Sequence, residues 1–304
     1  MADPVKLQVF LRGGLGNQLF QYSTGLYLSE KFDKELVLRT DLLPLSKDVV
    51  GGISRWPEQI SGFRHSGILS KKVDQPENST NLFSKYMQGM RMLGDWVPSL
   101  SSRINWLSSE TTARLPDRLD RIAIINSYAP FKEMALENRI KLREQLTSLV
   151  APSENFLSMR SDLEQHRPII VHIRRGDYVG LERLYGDLDP KYYLEGLGYM
   201  KAQINTEKTW IFSDSPEEVP RELAVSLEAE RVIGPADIPC PLENLVLMSL
   251  GTAIIAANST FSWWSGLISS EGQPLVAPRS ASAWTHNFSD VDDSIPGWKV
   301  LNVA

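Results

Sequence analysis

The sequence predicts an α/β protein built on parallel sheets. Short apolar runs rich in Val, Ile and Leu alternate with longer segments in which apolar residues recur at helical spacing. Strands that alternate with helices form βαβ units, and such units pair their strands in parallel. Several of the apolar runs end in polar or glycine-rich residues, as binding sites at the carboxyl ends of strands do. A chain of 304 residues is long enough for two domains of this kind.

The first βαβ unit lies at the N-terminus. Residues 5–11 form an apolar run typical of a strand, and a glycine-rich loop at 13–18 follows it directly. Apolar residues at helical spacing predict a helix over 19–32. Residues 36–38 are predicted to be the second strand, which completes the unit.

The following part of the chain is less regular. Residues 41–108 contain many Ser, Gly and Pro, and a helix is predicted within them at 82–92. A strand is predicted at 121–126, and a charged amphipathic helix at 133–150.

The predicted domain boundary lies at the segment Ala151-Pro152-Ser153. Because proline ends helices, we interpret this segment as a linker between an N-terminal domain, 1–150, and a C-terminal domain, 151–304. In the second domain, predicted strands and helices alternate regularly. The strands are 169–173, 210–212, 231–233, 253–256 and 275–277, and the helices are 192–204, 216–228, 242–250 and 261–270.

Composition excludes several classes of function. The net charge is −5, from 32 Lys and Arg against 37 Asp and Glu, and no basic cluster is present. Nucleic-acid binding is therefore disfavoured. No stretch approaches the roughly 20 apolar residues of a membrane helix, and no signal peptide is recognisable. A single cysteine, Cys240, excludes an intrachain disulfide and fits a reducing compartment, so we expect a cytoplasmic protein.

No resident metal or cofactor is predicted. His65, His166 and His286 are isolated, and no group of His, Cys, Asp and Glu has the spacing of metal ligands. A mechanism in which arginines and a helix N-terminus carry the charge fits the sequence better than one based on Mg²⁺.

The most informative segment is the one that follows the predicted strand 169–173. Arg174, Arg175 and Asp177 come at or just after its carboxyl end. Guanidinium groups bind phosphate oxygens in a bidentate manner, so two of them indicate a pyrophosphate site. The alternative is a surface arginine pair with Asp177 as an ordinary salt-bridge partner.

Two further polar clusters follow predicted strands of the same domain. Ser213 and Asp214 come after 210–212, and residues 258–262 come after 253–256. Because the carboxyl ends of parallel strands lie along one edge of a sheet, these clusters should converge with the arginines. The hydroxyls of the second cluster can cap a helix and also face a phosphate.

The glycine loop of the N-terminal domain suggests a phosphate-binding turn that leads into a helix N-terminus. Gly14 and Gly16 match two positions of the dinucleotide fingerprint, but the third position is Leu19. A plain tight turn between strand and helix is the alternative.

Taken together, these motifs resemble the bacterial α-1,2-fucosyltransferases of glycosyltransferase family 11. The matching segments occur in the family's order. They are 13–22, 172–178, 212–214, 247–249 and 258–264.

The resemblance implies a GT-B fold, in which two Rossmann-like domains face each other across a cleft. It implies an inverting transferase that moves L-fucose from GDP-L-fucose to the 2-hydroxyl of a terminal galactoside, without a metal and with no cofactor beyond the donor. It also implies peripheral association with the inner face of the cytoplasmic membrane. Two alternatives stay open: another GDP-6-deoxyhexose as donor, and a non-catalytic glycan- or nucleotide-binding protein of the same fold.

The resemblance assigns roles to individual residues. Arg174 would contact the β-phosphate and the bridging oxygen, and Asn17 would close on the phosphates. Glu182 resembles, by spacing, a proposed base of α-1,6-fucosyltransferases, whereas Asp177 would hold the arginines. The full donor-binding set comprises Gly14, Gly16, Asn17, His172, Arg174, Arg175, Ser213, Asp214, Asn244, Asn258, Ser259, Thr260, Phe261 and Ser262.

Asn244 departs from the family pattern, since related transferases tend to have Asp at this position. A carboxylate there could accept two hydrogen bonds from guanine, whereas an amide offers one acceptor and one donor group. If Asn244 faces the base, Asn244→Asp should tighten the binding of GDP.

Overall fold

The computed structural model describes ten segments of the chain. They are 6–40, 43–44, 48–50, 53–55, 57–70, 104–107, 122–125, 132–175, 188–279 and 295–302. The chain divides into two compact units, Met1–Asn138 and Arg139–Ala304. Among the described residues, no helix is long and apolar enough to cross a membrane.

The N-terminal unit contains a five-stranded sheet whose described pairs are all parallel. Its strands are β1 (Lys6–Phe10), β2 (Glu35–Arg39), β5 (Ile68–Ser70), β6 (Ile104–Leu107) and β7 (Ile122–Ile125). Between β2 and β5 the chain forms a separate antiparallel pair of strands, β3 (Asp48–Val50) and β4 (Ile53–Arg55). The order in the five-stranded sheet is β5-β2-β1-β7-β6. The strands β2 and β5 therefore lie on one side of β1, and the later strands β6 and β7 lie on its other side.

Helix α1 (Leu15–Phe32) connects β1 to β2 and packs closely on the sheet. Gly13 has φ of +69°, a left-handed conformation that glycine adopts without strain, and this allows the sharp turn between β1 and the helix. At Gly25 a Cβ atom would lie only 2.7 Å from Val9 Cγ2 and 2.8 Å from Leu36 Cδ1. Glycine there permits the close approach of helix and sheet. A short helix, α2 (Lys132–Glu137), packs against α1.

The C-terminal unit contains a six-stranded sheet, again with every described pair parallel. Its strands are β8 (Ile169–Ile173), β9 (Thr209–Ser213), β10 (Ala229–Ile233), β11 (Ala253–Ile255), β12 (Leu275–Arg279) and β13 (Trp298–Asn302). The order β10-β9-β8-β11-β12-β13 is that of the Rossmann fold, with the switch point between β8 and β11. These two sheets confirm the predicted α/β class with two Rossmann-like units.

Helices alternate with these strands, and each contributes buried apolar residues. They are α3 (Arg139–Thr147), α4 (Glu154–His166), α5 (Pro190–Lys201), α6 (Arg221–Ser226), α7 (Pro241–Met248) and α8 (Thr260–Ile268), with a 3₁₀-helix at Pro216–Glu218. The central strands β8, β9 and β11 are buried along their whole length. Leu197 and Met200 of α5 join Ile255 and Val276 of the sheet in the core.

The predicted helix 133–150 is in fact two helices, which belong to different units. Asn138 lies between α2 and α3, and asparagine favours turns over helix interiors. Helix α2 packs on α1, whereas α3 packs on α8 and Arg139 Nε donates a hydrogen bond to the carbonyl of Leu267, 3.2 Å away. The two units therefore divide at Asn138 and Arg139 rather than at 150/151.

Three further differences from the sequence-based assignment concern the C-terminal unit. The segment interpreted as a linker is not one, because Ser153 is the N-cap of α4, a helix that we had not predicted. The single helix expected at 216–228 is interrupted at Pro220, which has no N–H to continue it. Strand β13 was also not predicted. The helix predicted at 82–92 lies outside the described residues.

Candidate functional site

The carboxyl edge of the C-terminal sheet collects the polar residues that follow its strands. Arg174 and Arg175 come directly after β8, and Asn258 and Thr260 come shortly after the neighbouring β11. The switch point between two such strands is where open α/β sheets bind their ligands. The predicted convergence of these clusters at one edge is therefore observed.

A carboxylate that directly follows β9 holds the two arginines. Asp214 Oδ2 lies 3.3 Å from Arg174 Nε, and Asp214 Oδ1 accepts a hydrogen bond of 2.9 Å from the backbone N–H of Arg175. The side chains of Arg174 and Asp214 are only 17% and 18% exposed. The arginine pair is thus part of an ordered structure and not a freely solvated surface patch.

His172 lies on β8 beside these charges and is kept neutral. Its side chain is 3% exposed, and its ring centroid lies 5.7 Å from that of Phe261. Burial and the nearby Arg174 lower the pKa of His172 from 6.5 to about 4, although Asp214 opposes the shift. Among the described residues, no hydrogen-bond partner reaches its Nδ1 atom. A neutral imidazole offers one donor and one acceptor to a ligand.

The loop after β11 is organised by two serines. Ser259 is the N-cap of α8, and its Oγ accepts a hydrogen bond of 3.2 Å from the N–H of Phe261. Ser262 is fully buried, and its hydroxyl lies 3.1 Å from the carbonyl oxygen of Ala257 and 3.2 Å from that of Ser259. We expected Ser262 to line the donor pocket. Its hydroxyl instead contacts the backbone carbonyls of its own loop and stabilises the loop backbone.

Ser213 also turns inward at the end of β9. It is buried, and its Oγ accepts a hydrogen bond of 3.2 Å from the N–H of Ser215. This hydroxyl supports the turn that carries Asp214.

Asn244 is engaged by the loop that precedes its own helix, α7. Its Nδ2 donates hydrogen bonds to the carbonyls of Ile238, at 2.6 Å, and Cys240, at 3.3 Å. The amide nitrogen therefore braces the loop, which a carboxylate could not do. This geometry removes the reason for expecting that Asp at this position would improve binding.

Tyr192, which no sequence motif indicates, supports the same edge of the sheet. Its hydroxyl donates to the carbonyl of Ala256, at 2.7 Å, and lies 3.2 Å from that of Val276. Burial raises the pKa of Tyr192 well above its usual value of 10.0. A buried tyrosine hydroxyl needs a partner, but the sequence does not show that the partner is the end of β11.

In the N-terminal unit, the glycine loop is fastened by a buried glutamine. Gln18 is fully buried, and its Nε2 donates to the carbonyls of Gly13, at 2.8 Å, and Pro57, at 2.7 Å. Its Oε1 accepts from the N–H of Gln59 at 2.9 Å. The residue type of Gln18 does not indicate this role, because a polar residue in the first turn of a helix more often faces solvent.

The first turn of α1 also carries the predicted residues of the glycine loop. Gly14 is the N-cap and has no side chain to accept from the helix, and Gly16 is buried. Asn17 is partly exposed, and its backbone N–H bonds to the carbonyl of Gly14 at 3.0 Å.

Comparison with known proteins identifies the family. The family model "Glycosyl transferase family 11" matches residues 119–302, which is more than half of the 304 residues. The chain belongs to glycosyltransferase family 11. The resemblance seen in the sequence is thereby confirmed.

Two proteins of Escherichia coli are similar to this chain in sequence. The O-antigen biosynthesis glycosyltransferase WbnK is 23% identical over 286 residues, which is 88% of this chain and 92% of that protein. An α-1,2-colitosyltransferase is 25% identical over 258 residues, which is 84% of each chain. Among solved structures, the Bradyrhizobium fucosyltransferase NodZ is 13% identical, with a TM-score of 0.48 and coverage of 88% of this chain and 93% of that chain.

For this family 11 glycosyltransferase, two of the residues predicted to act in catalysis lie outside the described part of the chain. They are Asp177 and Glu182. Within the described segments, no group of three or more His, Cys, Asp and Glu residues is arranged to hold a metal ion. The described residues of the site are the arginines, the carboxylate and the histidine at the end of β8 and β9, together with the first turn of α8.

Proposed function

We propose that this protein is an inverting glycosyltransferase that moves L-fucose from GDP-L-fucose to the 2-hydroxyl of a terminal galactoside. The observation that carries the proposal is the pair Arg174 and Arg175, held by Asp214 at the switch point of a Rossmann-ordered sheet. Membership of glycosyltransferase family 11 supports the reaction type.

Breaking the bond between fucose and GDP leaves negative charge on the bridging oxygen and the β-phosphate. Preorganised donors aimed at such charge usually provide the largest catalytic contribution. Arg174 is fixed through its Nε by Asp214, so its guanidinium plane is oriented before the donor binds. We assign it to the β-phosphate and the bridging oxygen.

The remaining donor contacts are assigned to residues near helix N-termini, where backbone N–H groups favour anions. In the C-terminal unit these are Thr260 and Phe261, in the first turn of α8. His172 is neutral, and its ring centroid lies 5.7 Å from that of Phe261. We assign it to the guanine ring of the donor. In the N-terminal unit, Asn17 occupies the corresponding position of α1. Glu182 is proposed as the base that accepts the proton of the attacking hydroxyl.

A second donor is supported by one of the relatives. The Escherichia coli α-1,2-colitosyltransferase, 25% identical to this chain, is named for transfer of colitose with the same linkage. Colitose is fucose without its 3-hydroxyl, so a pocket that does not bind this hydroxyl would accept both GDP-sugars. The α-1,2 linkage in that name also supports the 2-hydroxyl as the acceptor position.

We further propose that the natural acceptor is a glycan assembled at the inner face of the cytoplasmic membrane, with the enzyme bound peripherally. The name of the relative WbnK, an O-antigen biosynthesis glycosyltransferase, supports this assignment. Fractionation of cells that produce the protein tests it. Release from membranes by salt is expected, and the absence of the protein from the membrane fraction at low salt would contradict the assignment.

The decisive experiment follows GDP release with GDP-L-fucose or GDP-L-colitose as donor and lactose as acceptor. A reaction without acceptor measures hydrolysis of the donor. NMR of the purified product should show an α-anomeric signal, as inversion of a β-linked donor requires, and a link to the 2-position of galactose, as the proposed acceptor position requires. Faster turnover with GDP-L-colitose would establish the second donor. GDP binding without turnover of either donor, with lactose and with other galactosides as acceptors, would favour a non-catalytic binding protein.

A further inference from the structure

Asp214 occupies a position that the strand register defines. β8 and β9 pair in parallel with Ile173 opposite Ser213, so the next residues along the two strands are Arg174 and Asp214. Its two carboxylate oxygens serve different groups, the guanidinium of Arg174 at 3.3 Å and the backbone N–H of Arg175 at 2.9 Å. One side chain thus fixes both the side chain of the first arginine and the backbone of the second.

The electrostatics argue against direct contact between Asp214 and the donor. A carboxylate beside a diphosphate would repel it, and the repulsion grows as exposure to water falls. Asp214 is only 18% exposed, so water screens its charge weakly. A carboxylate in this position helps to bind a diphosphate only if its effect on the arginines outweighs that repulsion.

We propose that Asp214 is a positioning residue, which orients Arg174 and the Arg175 backbone for the β-phosphate of the nucleotide without touching the donor itself. This inference rests on the proposed use of a GDP-sugar. It changes one expectation from the sequence, which placed Asp214 among the donor contacts, and it adds Asp214 to Asp177 as a residue expected to hold the arginines.

Two substitutions separate the contacts of Asp214. Asp214→Asn keeps an oxygen that can accept from the Arg175 N–H but removes the ion pair with Arg174. Asp214→Ala removes both contacts. If the charge of Asp214 acted only by repulsion, either substitution should tighten the binding of GDP. If Asp214 positions the arginines, Asp214→Asn should weaken GDP binding about tenfold, as expected for one misplaced charge-assisted hydrogen bond, and Asp214→Ala should weaken it further.

The measurement is calorimetric titration of each variant with GDP and with GMP, which lacks the β-phosphate. A positioning role predicts that GMP affinity changes less than about threefold while GDP affinity falls about tenfold. A general structural role would weaken both nucleotides equally. Asp162→Asn is the matched control, because it removes another Asp–Arg ion pair of the same unit, the one with Arg231 at 2.7 Å, and should leave both affinities unchanged.

A double-mutant cycle tests whether Asp214 acts through Arg174. In an Arg174→Ala background, Asp214→Asn should no longer weaken GDP binding, because the group that Asp214 orients is gone and only its repulsion of the diphosphate remains. A tenfold loss in that background, equal loss for GMP, or tighter GDP binding by Asp214→Asn alone would each overturn the inference. Failure of the wild-type protein to bind GDP would overturn the proposed function as well, so the two failures are distinguishable.

Discussion

Glu243 and Ser153 join helix α7 to the start of helix α4. Glu243 Oε1 accepts a hydrogen bond of 2.6 Å from the backbone N–H of Ser153, and Oε2 accepts one of 2.8 Å from its hydroxyl. The same hydroxyl oxygen accepts from the N–H of Phe156 at 3.1 Å, which makes Ser153 the N-cap of α4. Since Glu243 is only 4% exposed, both of its oxygens exchange water for these partners.

Glu243→Gln should destabilise the protein, because one of the two acceptor oxygens becomes an NH₂ group that faces a donor. A buried donor left without a partner costs about 1–3 kcal/mol, so the free energy of unfolding should fall by about that amount. Urea unfolding followed by circular dichroism measures it. Ser153→Ala, which keeps the backbone N–H but loses the cap, should cost about 1 kcal/mol. A Glu243→Gln protein as stable as the wild type would contradict this account.

This pair also shows why the segment before α4 was misinterpreted. Pro152 and its small neighbours are typical of linkers, and nothing local to Ala151-Pro152-Ser153 indicates otherwise. The partner that turns Ser153 into a helix cap, Glu243, lies far away in sequence. Strands β8, β9 and β11, by contrast, were predictable, because a buried parallel strand is a continuous apolar run whose signal is entirely local.

Arg174→Ala should abolish transfer while the protein stays folded. The guanidinium is fixed at the switch point of the sheet and is assigned to the developing charge, and the loss of one such donor commonly costs a hundredfold or more in kcat. Transfer kinetics and thermal unfolding are measured on the same preparation. The control is Arg160→Ala, which removes an exposed arginine paired with Glu164 on helix α4 and should have wild-type activity. An Arg174→Ala protein that retains more than about a tenth of wild-type kcat/KM would contradict the role.

Asn244→Asp should lower the stability of the protein, and it should not tighten the binding of guanine nucleotides. The Nδ2 donors that reach the carbonyls of Ile238 and Cys240 would be replaced by a carboxylate oxygen facing the same carbonyls. Loss of these bonds with repulsion in their place should lower the free energy of unfolding by about 1–3 kcal/mol. Urea unfolding and GDP titration on both variants decide the matter. Tighter GDP binding at unchanged stability would restore the expectation from the sequence.

The site divides into what the sequence could reveal and what it could not. Arg174 and Asp214 each follow an apolar run, and parallel strands bring such positions to one edge, so their proximity could be inferred before any coordinates. The supporting residues Gln18 and Tyr192 could not be identified in this way. Their partners are backbone carbonyls of distant segments, Pro57 and Ala256, and backbone atoms leave no trace in the residue types.

Transfer should be independent of divalent metal ions. The expectation rests on the arginines, whose guanidinium groups carry the charge that Mg²⁺ would otherwise supply to the pyrophosphate. Activity with GDP-L-fucose should survive excess EDTA, with the zinc-dependent activity of a known metalloenzyme as the control for chelation. Loss of activity that returns strictly on addition of Mg²⁺ or Mn²⁺ would show that a metal ion takes part.

His172 should make the folded protein sensitive to acid. Burial and Arg174 lower its pKa from 6.5 to about 4 in the folded protein. Between these values the unfolded chain binds a proton at this position and the folded protein does not, so stability falls as the pH falls from 6.5 towards 4. One pKa unit corresponds to 1.36 kcal/mol, so the loss between pH 7 and 4.5 is roughly 2 kcal/mol.

Unfolding of wild-type protein and His172→Asn at a series of pH values isolates this contribution, because asparagine does not titrate. The variant should lose less stability than the wild type on acidification, by roughly 2 kcal/mol between pH 7 and 4.5. Arg174→Ala provides a second comparison with a defined sign. Without the guanidinium the pKa of His172 in the folded protein should rise. The difference from its pKa in the unfolded chain becomes smaller, so less stability is lost on acidification. The contrary result is that all three proteins lose the same free energy of unfolding on acidification. His172 would then have the same pKa in the folded and unfolded states, and its assignment as a buried neutral group would be wrong.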